Sequence, residues 1–159
     1  MKDILTILEK DALTPHHQIG EMLGKSEAEV KAAIQELENE KIIIGYTTII
    51  DQDRANRNLV RALIEVKVTP ERDGGFDHIA SRIAKYPEVQ SCHLMSGAFD
   101  LLVVVQGEDL KQVARFVSGK LATIAGVVST ATHFILKPYK EYGHLFEADG
   151  QSERLMVSP

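Results

Sequence analysis

The sequence predicts an α+β protein in two parts: a helix-turn-helix module over the first third, then a ferredoxin-like βαββαβ domain. Three observations predict it. Ser26-Glu27-Ala28-Glu29 has the spacing of a capping box, and it opens an apolar helical stripe just after a short helix closed by Gly24. From Leu59 onward, segments read in the order strand, helix, strand, strand, helix, strand. Within that series Leu101 to Val105 is apolar at both parities, so neither face of the strand is built for water.

Composition bounds the remaining choices. The chain has 159 residues, 44% hydrophobic and 26% charged, the balance of an ordinary globular protein able to bury a real core. The opening Met1-Lys2-Asp3-Ile4 lacks a basic region leading into an apolar run, so no signal peptide is expected. No apolar run approaches the ~20 residues of a membrane helix. A lone cysteine, Cys92, excludes an intrachain disulfide and fits a cytoplasmic protein with no membrane partner. The formal net charge of −5 gives no global basic signal.

Taken in order, Ile4, Leu5, Ile7, Leu8 and Ala12 form a rough helical stripe ending near Leu13. Thr14-Pro15 reads as an N-cap followed by proline at the first helical position. Ile19, Met22 and Leu23 give the second helix its apolar face. In the third, Val30, Ile34 and Leu37 repeat at the spacing of a helix packed on one side. A short strand is expected after Tyr46, and the polar stretch Asp51 to Asn58 reads as a hinge. The domains are therefore drawn at 1–50 and 59–140, with a linker at 51–58 and a C-terminal tail at 141–159, whose stretch Glu147 to Glu153 is polar and expected to fray.

In the second part, Leu59 to Val68 alternates an apolar face (Val60, Ala62, Ile64, Val66, Val68) with Arg61, Leu63, Glu65 and Lys67. Thr69-Pro70 to Gly74-Gly75 is a loop. Phe76, Ile79, Ala80 and Ile83 mark a helix ended by Tyr86-Pro87. Glu88 to Met95 and Leu101 to Val105 make a hairpin whose turn is Ser96 to Asp100. Leu110, Val113, Ala114, Val117, Leu121 and Ile124 mark another helix, stopped by Gly126, and Val127 to Leu136 is the last strand. Right-handed crossovers put both helices on one sheet face. The other face then calls for a second copy of the chain, as a two-fold dimer of stacked sheets.

Particular residues carry a resemblance. His16 to Gln35, with Gly20, the turn glycine Gly24 and the apolar Val30, looks like a helix-turn-helix pattern. Leu37 to Tyr46 resembles the exit from that helix in the Lrp/AsnC (feast/famine) transcriptional regulators. Glu88-Val89, followed by Gly97-Ala98-Phe99-Asp100, resembles the effector-domain signature of the same family. The resemblance runs from Ile4 to Tyr142. It implies a winged-helix-like N-terminal domain and a C-terminal dimerising, amino-acid-sensing domain of the RAM type. It also implies assembly of dimers into octamers, and a transcriptional regulator of amino-acid metabolism rather than an enzyme.

On that reading Ser26, Ala28, Lys31, Ala32 and Gln35 face the major groove of an operator duplex. Lys25 and Lys41, with His16 and His17 beside them, meet phosphate. Charge argues the other way: residues 1–50 hold five lysines and nine carboxylates, a balance of −4, and Ser26 to Asn39 has no arginine. The alternative is an amino-acid-binding or assembly module whose helical domain meets protein instead of DNA. An enzyme built on the sheet is a third reading.

An α-amino acid needs amide donors for its carboxylate and an acceptor for its ammonium. Gly97 and Ala98 can supply the first and Asp100 the second, within a turn bounded by Met95, Ser96 and Phe99. Thr130, Thr132 and His133 are expected to complete that pocket, from the same chain or from a neighbouring subunit. The plainer reading is that Gly97 and Asp100 only shape and cap a tight turn. The six histidines and Cys92 show no metal-ligand spacing, so no metal or cofactor is expected, and Cys92 reads as a small buried hydrophobe.

Overall fold

The computed structural model describes residues 2–70 and 74–146. Two compact units divide between Thr48 and Ile49. The first holds α1 (Lys2–Lys10), α2 (His16–Leu23) and α3 (Glu27–Asn39). Ile4, Leu8, Ile19, Val30, Ile34 and Leu37 form its core.

Helix α1 stops three residues before the sequence suggests. Asp11 ends it: its side chain accepts from the amide of Leu13 at 2.9 Å, and its carbonyl accepts from the Thr14 hydroxyl at 2.8 Å. Thr14 is thereby occupied, so it does not cap α2. Pro15 takes the N-cap position, without a side-chain cap bond. Met22, expected on the apolar face, is exposed, whereas Ile19 is buried and Leu23 is half-buried against the same core. Gly24 ends α2 in the left-handed conformation, as the sequence suggests.

The capping box forms. The Glu29 amide donates to Ser26 Oγ at 3.3 Å, and the Ser26 amide donates back to Glu29 Oε2 at 2.8 Å. The far end of α3 is a Schellman motif, with Ile42 N–H on the Leu37 carbonyl (2.9 Å) and Lys41 N–H on that of Glu38 (3.1 Å). Its left-handed residue is Lys41, at φ 59, where glycine is usual. The expected strand after Tyr46 does not form; residues 44–50 have no regular structure. The Asp51–Asn58 stretch is a closed turn, with the Ala55 amide on the Asp51 carbonyl and the Arg57 amide on that of Gln52.

The second unit contains β1 (Val60–Val68), α4 (Asp77–Ala84), β2 (Val89–Leu94), β3 (Leu101–Gly107), α5 (Leu110–Phe116), a π turn (Val117–Leu121) and β4 (Val127–Phe134). Its antiparallel sheet has the order β2-β3-β1-β4, the ferredoxin-like arrangement. Ile79 and Ile83 of α4, with Val113 and Phe116 of α5, pack in one core against Ile64, Val66, Val103 and Val105. Both helices therefore cover the same face. The opposite face carries Arg61, Leu63, Glu65 and Lys67 of β1 beside Leu102, Val104 and Gln106 of β3. The apolar members of this open face, Leu63, Leu102 and Val104, are only half-buried.

The expected stripe on α5 is partly wrong. Leu110 and Ala114 are exposed, and Phe116, absent from the stripe, is in the core. The cause is the π turn, where the Ala122 amide donates to the Val117 carbonyl at 2.8 Å, one residue further than in an α-helix. Strand β4 stops at Phe134, and a hairpin follows, β5 (Lys140–Glu141) and β6 (His144–Leu145). This hairpin spans the boundary at 140/141 that the sequence suggests, and no strand is expected there from the sequence. The rest of the tail, 147–159, and residues 71–73 of the Thr69–Gly75 loop lie outside the described residues.

Candidate functional site

The helix-turn-helix is held by a backbone contact. A Cβ on Gly20 would sit 2.5 Å from the Lys25 carbonyl oxygen, so α2 reaches the start of α3 only because residue 20 has no side chain. The Lys25 amide donates to the Gly20 carbonyl at 2.9 Å, closing the same contact from the other side. With Val30, Ile34 and Leu37 turned into the core, Ala28, Lys31, Ala32 and Gln35 remain exposed. Their spacing of three and four makes them one stripe.

Ser26, expected beside them, is engaged locally. Its hydroxyl donates to Glu29 Oε2 at 2.6 Å while accepting from the Glu29 amide. Those bonds from Ser26 hold the Glu29 carboxyl below the usual carboxylate range. Lys25 and Lys41 are exposed at the two ends of α3, and His17 is exposed and His16 half-buried at the start of α2. Beyond α3, the Tyr46 hydroxyl donates to Glu38 Oε1 at 3.0 Å. Burial, then that carboxylate, pushes the phenol up.

In the second unit the turn from Met95 to Asp100 closes the β2–β3 hairpin, with the Met95 amide on the Asp100 carbonyl at 2.8 Å. Met95, Ser96, Gly97 and Ala98 are exposed, and Phe99 and Asp100 half-buried. Gly97 has φ 149 with open space where a side chain would stand. The amides of Gly97 and Ala98 donate to no group among the described residues.

Asp100 reaches out of the turn. Its amide donates to the Val66 carbonyl at 3.1 Å, and its Oδ2 accepts from the Val68 amide at 2.8 Å. That amide stands at the irregularity where β1 shifts register against β4. One carboxylate oxygen thus anchors the turn to the end of β1. The sequence gives no local signal for this contact, since 32 positions separate the partners.

The three β4 residues are not brought together. Thr130 stands opposite Val66 and Thr132 opposite Ile64, on the helix-covered face, whereas His133 stands opposite Leu63 on the open one. Successive residues of a strand point to opposite faces, so one pocket on one face of a single chain cannot collect all three. His133 Nε2 instead lies 3.3 Å from Glu65 Oε1 across the open face. Glu88 also stands apart from the turn, at the far end of the hairpin, where Lys120 Nζ lies 2.5 Å from Oε1 and holds the carboxyl below its usual range. Cys92 is half-buried against the core, and burial pushes its thiol up.

Residues 1–44 match the family described as winged helix-turn-helix DNA-binding, and residues 61–145 match the Lrp/AsnC ligand binding domain. An uncharacterised helix-turn-helix-type transcriptional regulator of Bacillus subtilis, YugG, is 48% identical over 158 residues, covering 99% of this chain and 95% of its own. Among solved structures, a Neisseria meningitidis transcriptional regulator in complex with L-Met superposes with a TM-score of 0.68. It is 25% identical, with 87% of this chain and 89% of that one covered. AsnC of Escherichia coli shares the fold, at a TM-score of 0.65 and 17% identity over 87% of this chain and 92% of its own.

Proposed function

The chain belongs to the Lrp/AsnC family of helix-turn-helix transcriptional regulators, and from that premise we propose how its own residues bind operator DNA and answer an amino acid. The observation that carries the DNA reading is the exposed stripe of α3. Ala28 and Ala32 are small enough to let the helix approach base edges. Gln35 can pair with adenine, and Lys31 with guanine or a flanking phosphate. Lys25 and Lys41, at the two ends of α3, meet the backbone on either side. With a balance of −4 in residues 1–50, few cations are available, so each contributes a large share of the affinity.

The effector reading places an α-amino acid at the Gly97 turn. The unengaged amides of Gly97 and Ala98 take its carboxylate, and the free oxygen of Asp100 takes its ammonium, while Met95 and Phe99 flank the side chain. The Neisseria relative's L-Met complex supports an amino acid as the ligand class. Thr130, opposite Val66 and so level with Leu101 at the turn end of the sheet, borders the site from the helix-covered face, while Thr132 stands mid-sheet and His133 of the same chain does not take part. Two copies stack through the open sheet faces, and dimers assemble further into octamers in the cytoplasm. A regulon in amino-acid metabolism follows from such an effector.

Two substitutions separate ligand from scaffold at Asp100. Asp100→Asn keeps an acceptor for the Val68 amide but removes the charge. Asp100→Ala removes both and leaves that amide unsatisfied, costing about 1–3 kcal/mol. Calorimetric titration with the twenty amino acids identifies the ligand. The expected result is lost amino-acid response in a stable Asn variant; an unchanged response there refutes the site. For DNA, Lys31→Glu should weaken duplex binding across a salt series. Binding equal to the parent at low salt refutes the docking and favours the reading in which the acidic helical unit meets protein.

A further inference from the structure

We propose that the β5–β6 hairpin is a clasp that packs against a second copy of this chain, extending the sheet-face dimer. The hairpin is a small sheet of its own, with Lys140 opposite Leu145 and Glu141 opposite His144. Tyr142 and Gly143 turn it with φ of 46° and 87°, the positive values a two-residue hairpin loop demands. An isolated two-stranded hairpin is marginal in water. This one nonetheless carries a high apolar load on its own surface: Tyr142 is 82% exposed and Leu145 76%, with Tyr139 at 73% and Leu136 at 96% just before it.

Its anchor says which way it faces. Glu141 pairs with Arg61, a residue of the open sheet face. Glu141 and His144 share the side of the hairpin turned toward that anchor, and alternation turns Lys140 and Leu145 away from it. The apolar hairpin is thus continuous with the open face of its own chain, while nothing among the described residues covers Leu145. A second copy docking on the open face meets both.

Area selects the occupant. The centre of the open face, Leu63, Leu102 and Val104, is already half-buried and has limited surface left to contribute. A standard interface removes about 800 Å² per partner from water. Aromatic side chains bury roughly 150–250 Å² each, so Tyr139 and Tyr142 with two leucines can supply the missing part. β1 carries Glu65 and Lys67 on the open face, so a self-facing contact need not stack one sign of charge on itself.

The inference rests on the sheet-face dimer proposed above, and its test separates the two. Tyr142→Asn with Leu145→Ser keeps a residue suited to positive φ at the turn and removes both exposed apolar groups. Sedimentation of the full chain should show a dimer dissociation constant raised at least about tenfold in this variant. A photo-crosslinker at Tyr142, in a mixture of isotope-labelled and unlabelled chains, should give mixed-label products at residues of β1 or β3. A monomeric parent overturns the sheet-face dimer and the clasp with it. A dimeric parent overturns the clasp alone if the variant dimerises equally well or if the crosslinks stay within one chain. A variant that keeps its dimer and loses only larger assemblies also overturns it.

Discussion

Replacing Gly20 with alanine should unfold the DNA-binding unit before it disturbs the sheet. The added Cβ lands 2.5 Å from the Lys25 carbonyl oxygen and 3.5 Å from the carbonyl carbons of Lys25 and Ser26. All three atoms are backbone, so no rotamer change relieves the overlap, and α2 must part from the start of α3 by about half an ångström. Overpacking of this kind costs about 1–3 kcal/mol. Alanine recovers up to about 1 kcal/mol through its better helix propensity, so the net loss is about 1–2 kcal/mol. At the ~0.05–0.15 kcal/mol per residue of ordinary domains, a unit of this size holds only about 2–7 kcal/mol. Amide exchange, read separately over the two units, should report the loss in α2 and α3 with β1–β4 unchanged. Gly24→Ala serves as the control: nothing lies within 4 Å of its Cβ, and its cost comes only from holding φ at 65°. A Gly20→Ala chain at least as stable as the parent would refute the close-packing argument.

Other perturbations test separate parts. Lys41→Gly should stabilise α3 by about 1 kcal/mol, because glycine fits the left-handed position, yet lower the salt slope of DNA binding by about one; denaturant unfolding and a salt titration of the same variant read both. The Glu29 carboxyl is lowered in the folded chain, so its contribution is present above its unfolded pKa and lost as the pH falls through the folded value. Exchange protection at the first turn of α3 should fall in acid below the usual carboxylate range, and Glu29→Gln, which keeps the cap without titrating, should flatten that fall. Lys120→Met should move the Glu88 carboxyl back up, detectable by carbon NMR titration, and leave the Gly97 turn unaltered.

The sequence was most legible where structure depends on near neighbours. Ser26 and Glu29 form their cap within one turn, and Gly24 its left-handed stop, so each is readable from residue type and spacing. The alternation of β1 and β3 follows from the same local logic. His133 could have been separated from Thr130 and Thr132 by that rule alone, since adjacent strand positions cannot share a face. Thr14 was misread because Asp11 competes for it, a contest that residue preferences do not rank. Asp100 shows the opposite limit: its partner, the Val68 amide, is supplied by strand pairing across the sheet and leaves no trace near residue 100. The β5–β6 hairpin was missed because Tyr142 is an unusual occupant of a positive-φ turn, and its strands are only two residues each.

The π turn after α5 also says something about chain length. Phe116 and Leu121 are five apart and both buried, a spacing that a regular helix cannot aim at one wall. One surplus residue is stored there as a loosened loop of backbone, and Ser118 and Gly119, both exposed, lie within it. Removing Gly119 would let the segment close into ordinary helix while Ile124 and β4 keep their places. The turn is thus a splice point, where the chain can be a residue longer or shorter without moving the strand that follows.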